Sequence, residues 1–356
     1  MIIKARQKSV KLLKLEALLR RLPQNHSKRE KVEKEYRITK AGFKGEQSID
    51  YYLNFIPHEL VLIFHDLKLS NQKVKFQMDT LILTPYFILI AEIKYLAGEV
   101  TYDPDMNQLI QTYNGSKKIY GDPIHQVERQ AYQIKQWLNS QKLLQNAANI
   151  PIESVVVFAN DQAQFTILPS QLQERKYILQ KFFRSSKLPD TINNFITLHS
   201  TPYFSNKDLK KMTKLLLKHN INEEIDVLQL FQINQAELVQ GVFCPECNTI
   251  PMVRKHGAWL CINSYCRHRS KQAHYIALED YKLLLGDRIT NKKMLNFLSL
   301  TKSSSCKYLL KTMHLPYEGS TKNRVYCLAS SPKKLTRNRA SLEKIEREQR
   351  RINFPY

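Results

Sequence analysis

Two apolar runs on either side of Pro85, FQMDTLILT at residues 76–84 and YFILIAEIK at residues 86–94, each carry charge inside them: Asp79 in the first, Glu92 and Lys94 in the second. Both runs are rich in Ile, Leu and Phe, and the proline marks a turn, so they are expected to be neighbouring antiparallel strands. Side chains alternate along a strand, which sends Glu92 and Lys94 to one face and lets Asp79 join them from next door. Two carboxylates and an ammonium then share one patch.

Carboxylates brought together in a half-buried sheet repel each other and resist desolvation, so a cation has to compensate. A divalent metal does this, and oxygen ligands of this kind suit Mg or Mn, with positions left for water and a phosphate oxygen. Lys94 could then orient or deprotonate the water, or neutralise charge developing on the phosphate. The expected chemistry is hydrolysis of a phosphodiester. The plainer alternative is a strand pair with a Glu-Lys bridge on a solvated face.

The residues around the patch resemble the nuclease-related domain (NERD) family, a branch of the PD-(D/E)XK nuclease-like proteins, over roughly residues 38 to 160. The resemblance is carried in order by Gly42-Phe43-Lys44-Gly45-Glu46, Met78-Asp79, Ala91-Glu92-Ile93-Lys94, Gly98-Glu99-Val100 and Asp122-Pro123-Ile124-His125-Gln126. It implies that Asp79 and Glu92 bind the catalytic metal, that Lys94 is the catalytic lysine, and that Glu46 and Gln126 complete the site. Met78 stands where the superfamily name has proline, and Asp122 where the family has Asn. The fold does not by itself fix the activity.

Charge points the same way. The 356 residues hold 55 Lys and Arg against 32 Asp and Glu, a formal +23, which implies a polyanionic partner, nucleic acid before an anionic membrane surface. No apolar stretch of about 20 residues suits a bilayer span, and the first residues lack the pattern of a secretory signal. A cytoplasmic chain is expected, with its cysteines more suited to metal than to disulfides.

Residues 244–266 then read CPECNTIPMVRKHGAWLCINSYC. Cys244, Cys247, Cys261 and Cys266 form two close pairs around a hairpin-sized insert, a set suited to tetrahedral Zn. The unit resembles the zinc ribbon at the C-terminal end of bacterial type I topoisomerases. By that resemblance Trp259 and Tyr265 would stack on bases, and Arg254, Lys255, Arg267 and Arg269 would meet phosphates. Alternatively the ribbon is purely structural and Trp259 fills its small core. His268 is a possible substitute ligand, and Cys306 and Cys327 read as buried thiols.

Elsewhere, residues 1–37 read as a basic helical arm, broken at Pro23. Helices are expected over 39–53, 123–138 and 207–219, and strands over 60–64, 154–159, 165–168 and 195–198. His199 and His219 read as packing or surface residues. Residues 290–298 and 303–313 form a helix pair followed by a hairpin, which resembles a small winged-helix unit.

The expected fold class is thus α/β, an αβββαβ nuclease-like core with a mixed sheet, followed by a zinc ribbon and a small winged-helix-like helical unit. The expected domains are the arm at 1–37, a nuclease-related domain with its extension at 38–234, the ribbon at 240–275, the helix-turn-helix unit at 276–330 and a basic tail at 331–356. Three functions fit: a Mg- or Mn-dependent DNA nuclease with the rear modules holding DNA, a non-catalytic DNA-binding regulator or architectural factor, and an RNA-binding or RNA-processing protein. The first is preferred, since an idle site need not keep Asp79, Glu92 and Lys94 within apolar strands.

Overall fold

The computed structural model describes residues 1–56, 61–71, 74–141, 149–222, 224–320 and 323–328; the expected tail at 331–356 lies outside them. The chain divides into two compact units, Met1–Ser9 with Ile38–Glu223, and Val10–Arg37 with Glu224–Tyr356. Residues 1–37, expected as a single arm, are therefore shared between the units. They form β1 (Ile2–Lys4), α1 (Val10–Arg21) and the start of α2 (Arg29–Leu53).

In the first unit β2 (Leu62–Asn71), β3 (Val74–Leu83) and β4 (Ile88–Lys94) form the expected antiparallel meander. An inserted group, β5 (Glu99–Asp103), β6 (Gln108–Tyr113) and β7 (Ser116–Gly121), precedes α3 (Pro123–Ser140) and β8 (Ile152–Phe158). Then come β9 (Gln164–Ile167), α4 (Leu172–Lys181), β10 (Phe182–Arg184), α5 (Leu188–Leu198) and α6 (Asn206–Lys218). The main sheet runs β1-β2-β3-β4-β8-β10, and it is mixed, because β1 joins β2, β8 joins β4 and β10 joins β8 in parallel. Strands β7-β6-β5-β9 make a second, four-stranded sheet.

Strand β4 is buried along nearly its whole length, which is why its sequence is a continuous apolar run. Ile88 and Ile90 pack with Val127 and Ile134 of α3. Leu89, Ala91 and Ile93 pack on the other face with Ile49 and Leu53 of α2. The alternation therefore turns Glu92 and Lys94 towards α3.

Residues 195–198, expected as a strand, close helix α5 instead. Pro189 starts that helix, and Leu188, Ile192, Phe195 and Ile196 recur at helical spacing on its packed side. His199 meets Glu153 at 3.0 Å and Phe87, and His219 stands edge-on to Trp137, so both pack.

The second unit contains α1, α7 (Val227–Leu230), a three-stranded sheet of β11 (Val253–Lys255), β12 (Ala258–Leu260) and β13 (Arg269–Ser270), and helix α8 (His274–Leu285). After these come β14 (Arg288–Thr290), α9 (Asn291–Phe297), α10 (Ser303–Thr312), β15 (Tyr317–Glu318) and β16 (Val325–Cys327), with the strands paired β14-β16-β15. Helices α9 and α10 fall where the helix pair was expected, and the pairings of β16 with β14 and with β15 are antiparallel.

Helix α1 is amphipathic as its sequence suggests, with Leu12, Leu15 and Leu18 fully buried. Arg21 beside them is also fully buried. Its Nε donates to Asp280 Oδ2 at 2.9 Å, its Nη1 donates to Gly241 O at 2.8 Å, and its guanidinium lies between the rings of Phe243 and Phe297. A charge so placed is tolerable only because Asp280 and the carbonyls answer it.

Candidate functional site

Glu92 is 4% exposed and receives three side-chain donors. Lys94 Nζ donates to its Oε1 at 2.8 Å, Gln126 Nε2 to the same oxygen at 2.7 Å, and Gln130 Nε2 to Oε2 at 2.9 Å. Lys94 Nζ also donates to Gln126 Oε1 at 2.8 Å, which closes a ring of three residues. Helix α3 brings the two glutamines to the strand end, and it is fixed at its start by Asp122. Oδ1 of that residue accepts from the N–H groups of Ile124 and His125, and Oδ2 accepts from the Tyr102 hydroxyl. An Asn could cap the helix in the same way, so Asp122 preserves the cap.

Asp79 is next to Thr80, which pairs with Ala91 in the β3-β4 register, and its Oδ2 accepts from the backbone N–H of Ile93 at 2.9 Å. Burial raises its carboxyl well above the usual carboxylate range, and the charges of Glu92 and Glu46 raise it further. A buried carboxyl pressed by two neighbouring carboxylates marks a place short of positive charge.

Glu46 comes from α2. The preceding Gly45 allows the approach, since a Cβ there would fall 2.1 Å from Cβ of Tyr95, the residue after Lys94. Gly42 of the same motif faces open space and has no such steric duty. Arg6 Nη1 donates to Glu46 Oε2 at 3.1 Å, while Nη2 reaches Asp50 Oδ1 at 3.3 Å, Thr80 Oγ1 at 3.2 Å and His65 Nδ1 at 2.9 Å. Burial, with Arg6 and Lys4 nearby, holds the His65 pKa down to about 3, so its neutral ring accepts from Arg6. Burial and then the Asp66 carboxyl push Glu46 up to about 7, against the pull of Arg6. Asp66 has φ +51° and stands between the register pairs His65–Thr80 and Leu67–Met78 of β2 and β3.

A family model described as the nuclease-related domain matches residues 41–159. Residues 41–159 are a nuclease-related domain. No curated protein and no solved structure matches the chain. The nuclease-related domain contains Glu46, Asp79, Glu92, Lys94 and Gln126. The fold links Glu92, Lys94 and Gln126 by hydrogen bonds, sets Asp79 beside them, and ties Glu46 to Arg6. Arg6 lies outside the matched segment and was missed in the sequence, where nothing pairs residues 2–4 with residues 63–64. Gln130 was missed too, although its i+4 spacing from Gln126 was a usable signal.

In the second unit, Cys244, Cys247, Cys261 and Cys266 have their sulfurs all within 4.8 Å of one another. Cys244 and Cys266 are 3.7 Å apart and Cys247 and Cys261 3.4 Å, close to the ~3.8 Å edge of a tetrahedron with ~2.3 Å metal–sulfur bonds. Among the described residues this is the one group of three or more His, Cys, Asp and Glu that converges so tightly. The set fits a thiophilic metal ion and is compatible with a zinc ribbon. The hairpin turns at His256 (φ +47°) and Gly257 (φ +75°), where a two-residue connection demands positive φ at both positions.

The ribbon corrects one expectation. Trp259 is fully buried, with Nε1 donating to His274 Nδ1 at 3.2 Å and Arg254 lying over its ring. It belongs to one buried cluster with Val242, Met252, Ala273 and Ala277, so the indole is turned inward and is closed to bases. Tyr265 is 99% exposed, and Lys255, Arg267 and Arg269 are exposed as well. None of the described helices is long and apolar enough to cross a membrane.

Proposed function

We propose that this protein is a nuclease that hydrolyses phosphodiester bonds of nucleic acid, DNA in the first instance, with Mg or Mn at the Asp79–Glu92 patch. The observation that carries the reading is Glu92, a carboxylate buried in the sheet beside Asp79 and 2.8 Å from Lys94 Nζ. Apolar strands retain such a group at a large desolvation cost unless a cation is to meet it. The donors are hard oxygens with unbalanced negative charge, which suits Mg or Mn. Asp79, Glu92 and the Ile93 carbonyl would hold the ion, with Glu46 set to serve a second ion or its water.

A divalent ion bound there acidifies water and offsets phosphate charge. The chain's own groups do the remainder. Lys94 aims a water at the phosphorus or donates to the phosphoryl oxygen on which charge accumulates. Gln126 fixes the Lys94 ammonium through its Oε1, and Gln130 fixes the carboxylate plane of Glu92. The four cysteines would hold a structural Zn. Lys255, Tyr265, Arg267 and Arg269 on the ribbon, with Lys307 and Lys311 on the exposed side of α10, would bind the phosphate backbone.

A second reading is a nucleic-acid-binding factor without turnover. What favours it is that both Glu92 oxygens already accept from Lys94, Gln126 and Gln130, as they would in a site that never takes a metal. The deciding experiment incubates the protein with single-stranded, duplex and branched DNA and with RNA, in Mg, Mn or chelator, beside Asp79→Ala. Metal-dependent cleavage lost in the variant establishes the enzyme and its substrate class. Binding without cleavage of any substrate establishes the factor.

A further inference from the structure

A pocket of about 380 Å³ opens beside Lys94, lined among others by Asn107, Tyr120, His125, Gln126 and Arg129. One wall is the start of α3. The other is the inserted sheet, through β7 and the turn between β5 and β6. We infer that this pocket takes a single unpaired nucleotide of a nucleic-acid strand, its phosphate at Lys94, His125 and Arg129 and its base at Tyr120 and Asn107. The inference rests on the nuclease reading for the meaning of Lys94 and adds the strandedness of the substrate.

Charge supports a phosphate. Arg129 is exposed and has no ion-pair or hydrogen-bond partner among the described residues. The carboxylate in the lining, Asp122, is already engaged by two backbone N–H groups and the Tyr102 hydroxyl, with His125 Nδ1 at 3.5 Å. It faces His125 and leaves the Arg129 guanidinium unanswered. His125, Arg129 and Tyr132 are exposed at i, i+4 and i+7 of α3, so a cationic and aromatic stripe leads out of the pocket along one helix face.

Size and chemistry support one nucleoside. Ligand cavities run from about 300 to 1,000 Å³, so this pocket has room for one nucleotide and none for a base pair. Tyr120 is anchored by its hydroxyl, which donates to Gln111 Oε1 at 2.9 Å, and Lys118 Nζ lies 4.5 Å from the ring centroid. Stacking on an aromatic is tolerant of base identity, and the nearby ammonium can turn to the adjoining phosphate. Asn107, at φ +50° in its turn, adds an amide able to pair with a base edge. A base in a duplex could enter only after leaving its stack.

The test uses the full chain in chelator, irradiated with an oligonucleotide that carries one thiolated thymine (DNA) or uracil (RNA), as a single strand and as a perfect duplex. Cross-links of the single strand are expected on residues 118–129, and the duplex yield is expected to be roughly tenfold lower. Tyr120→Ala and Arg129→Ala should each lower the single-strand yield about tenfold. Equal yields from duplex and single strand, or cross-links confined to other residues, would overturn the inference. Cleavage of unmodified oligonucleotides in Mg or Mn is scored in parallel. Cross-links here without cleavage keep the pocket and remove the nuclease reading, whereas duplex cleavage with cross-links elsewhere keeps the nuclease and removes the pocket.

Discussion

Arg6 Nη1 donates to Glu46 Oε2 at 3.1 Å, so the segment just after the first strand, β1, supplies a cation to a carboxylate of the segment matched by the nuclease-related domain model. The Arg6 side chain is 3% exposed and also serves Asp50, His65 and Thr80. Replacing it by Met should cost about 2–3 kcal/mol. That is below the ~3–5 of a fully buried pair, because Glu46 and Asp50 keep some access to water. Urea unfolding of Arg6→Met beside Arg6→Lys checks this, and an unchanged midpoint in the Met variant contradicts it.

Glu46 gives stability a pH dependence with a defined sign. Its carboxyl titrates near 4.5 when unfolded and is pushed up to about 7 when folded. Between those values the folded state keeps a proton that the unfolded state has lost, so stability falls as pH rises from about 4.5 to about 7, then levels off. Asp79, also raised, acts in the same direction. Glu46→Gln should reduce the slope, measured as the urea midpoint at half-unit pH steps in chelator.

Lys94→Ala removes the donor shared by Glu92 and Gln126. Turnover is expected to drop by at least about 100-fold, far more than nucleic-acid affinity, since the chain's +23 charge is spread over many other residues. Cleavage assays and filter binding on one preparation separate the two effects.

The four-cysteine set should hold one Zn per chain, and Cys261→Ala should lose it. Without metal the ribbon is expected to unfold and expose Trp259. With two tryptophans in the chain, the emission of a Trp137→Phe background reports this as a red shift on chelation.

Asp280 is fully buried and answers both Arg20 and Arg21. Asp280→Ala should destabilise the protein by about 3–5 kcal/mol, read by denaturant unfolding. Deleting residues 1–37 should likewise cost folding before it costs DNA binding, which distinguishes a built-in helix from a mobile arm.

What could be read in the sequence were features with local periodicity. The Glu92–Lys94 face, the meander, the start of α3 and the cysteine pairs follow from spacing alone. The role of Arg6 depends on a parallel pairing across sixty residues, which no local pattern encodes. The β6-β7 hairpin was missed despite its signal, Asn114-Gly115, where both residues take positive φ. Trp259 was assigned to bases because an aromatic between cysteines resembles a stacking platform, whereas it is buried in a core shared with residues of α8, far along the chain from the local pattern. Residues 195–198 alternate like a strand, and only Pro189 and the residues before them favour a helix.

One glycine links the two halves of the candidate site. Because Gly45 touches Tyr95, the height of α2 above the end of β4 is set by backbone thickness alone. A single added methyl group would have to displace the helix or the tyrosine, and Glu46 and Lys94 are each one residue away. Acid and lysine thus share one mechanical reference point, so their spacing can be changed without altering either of them.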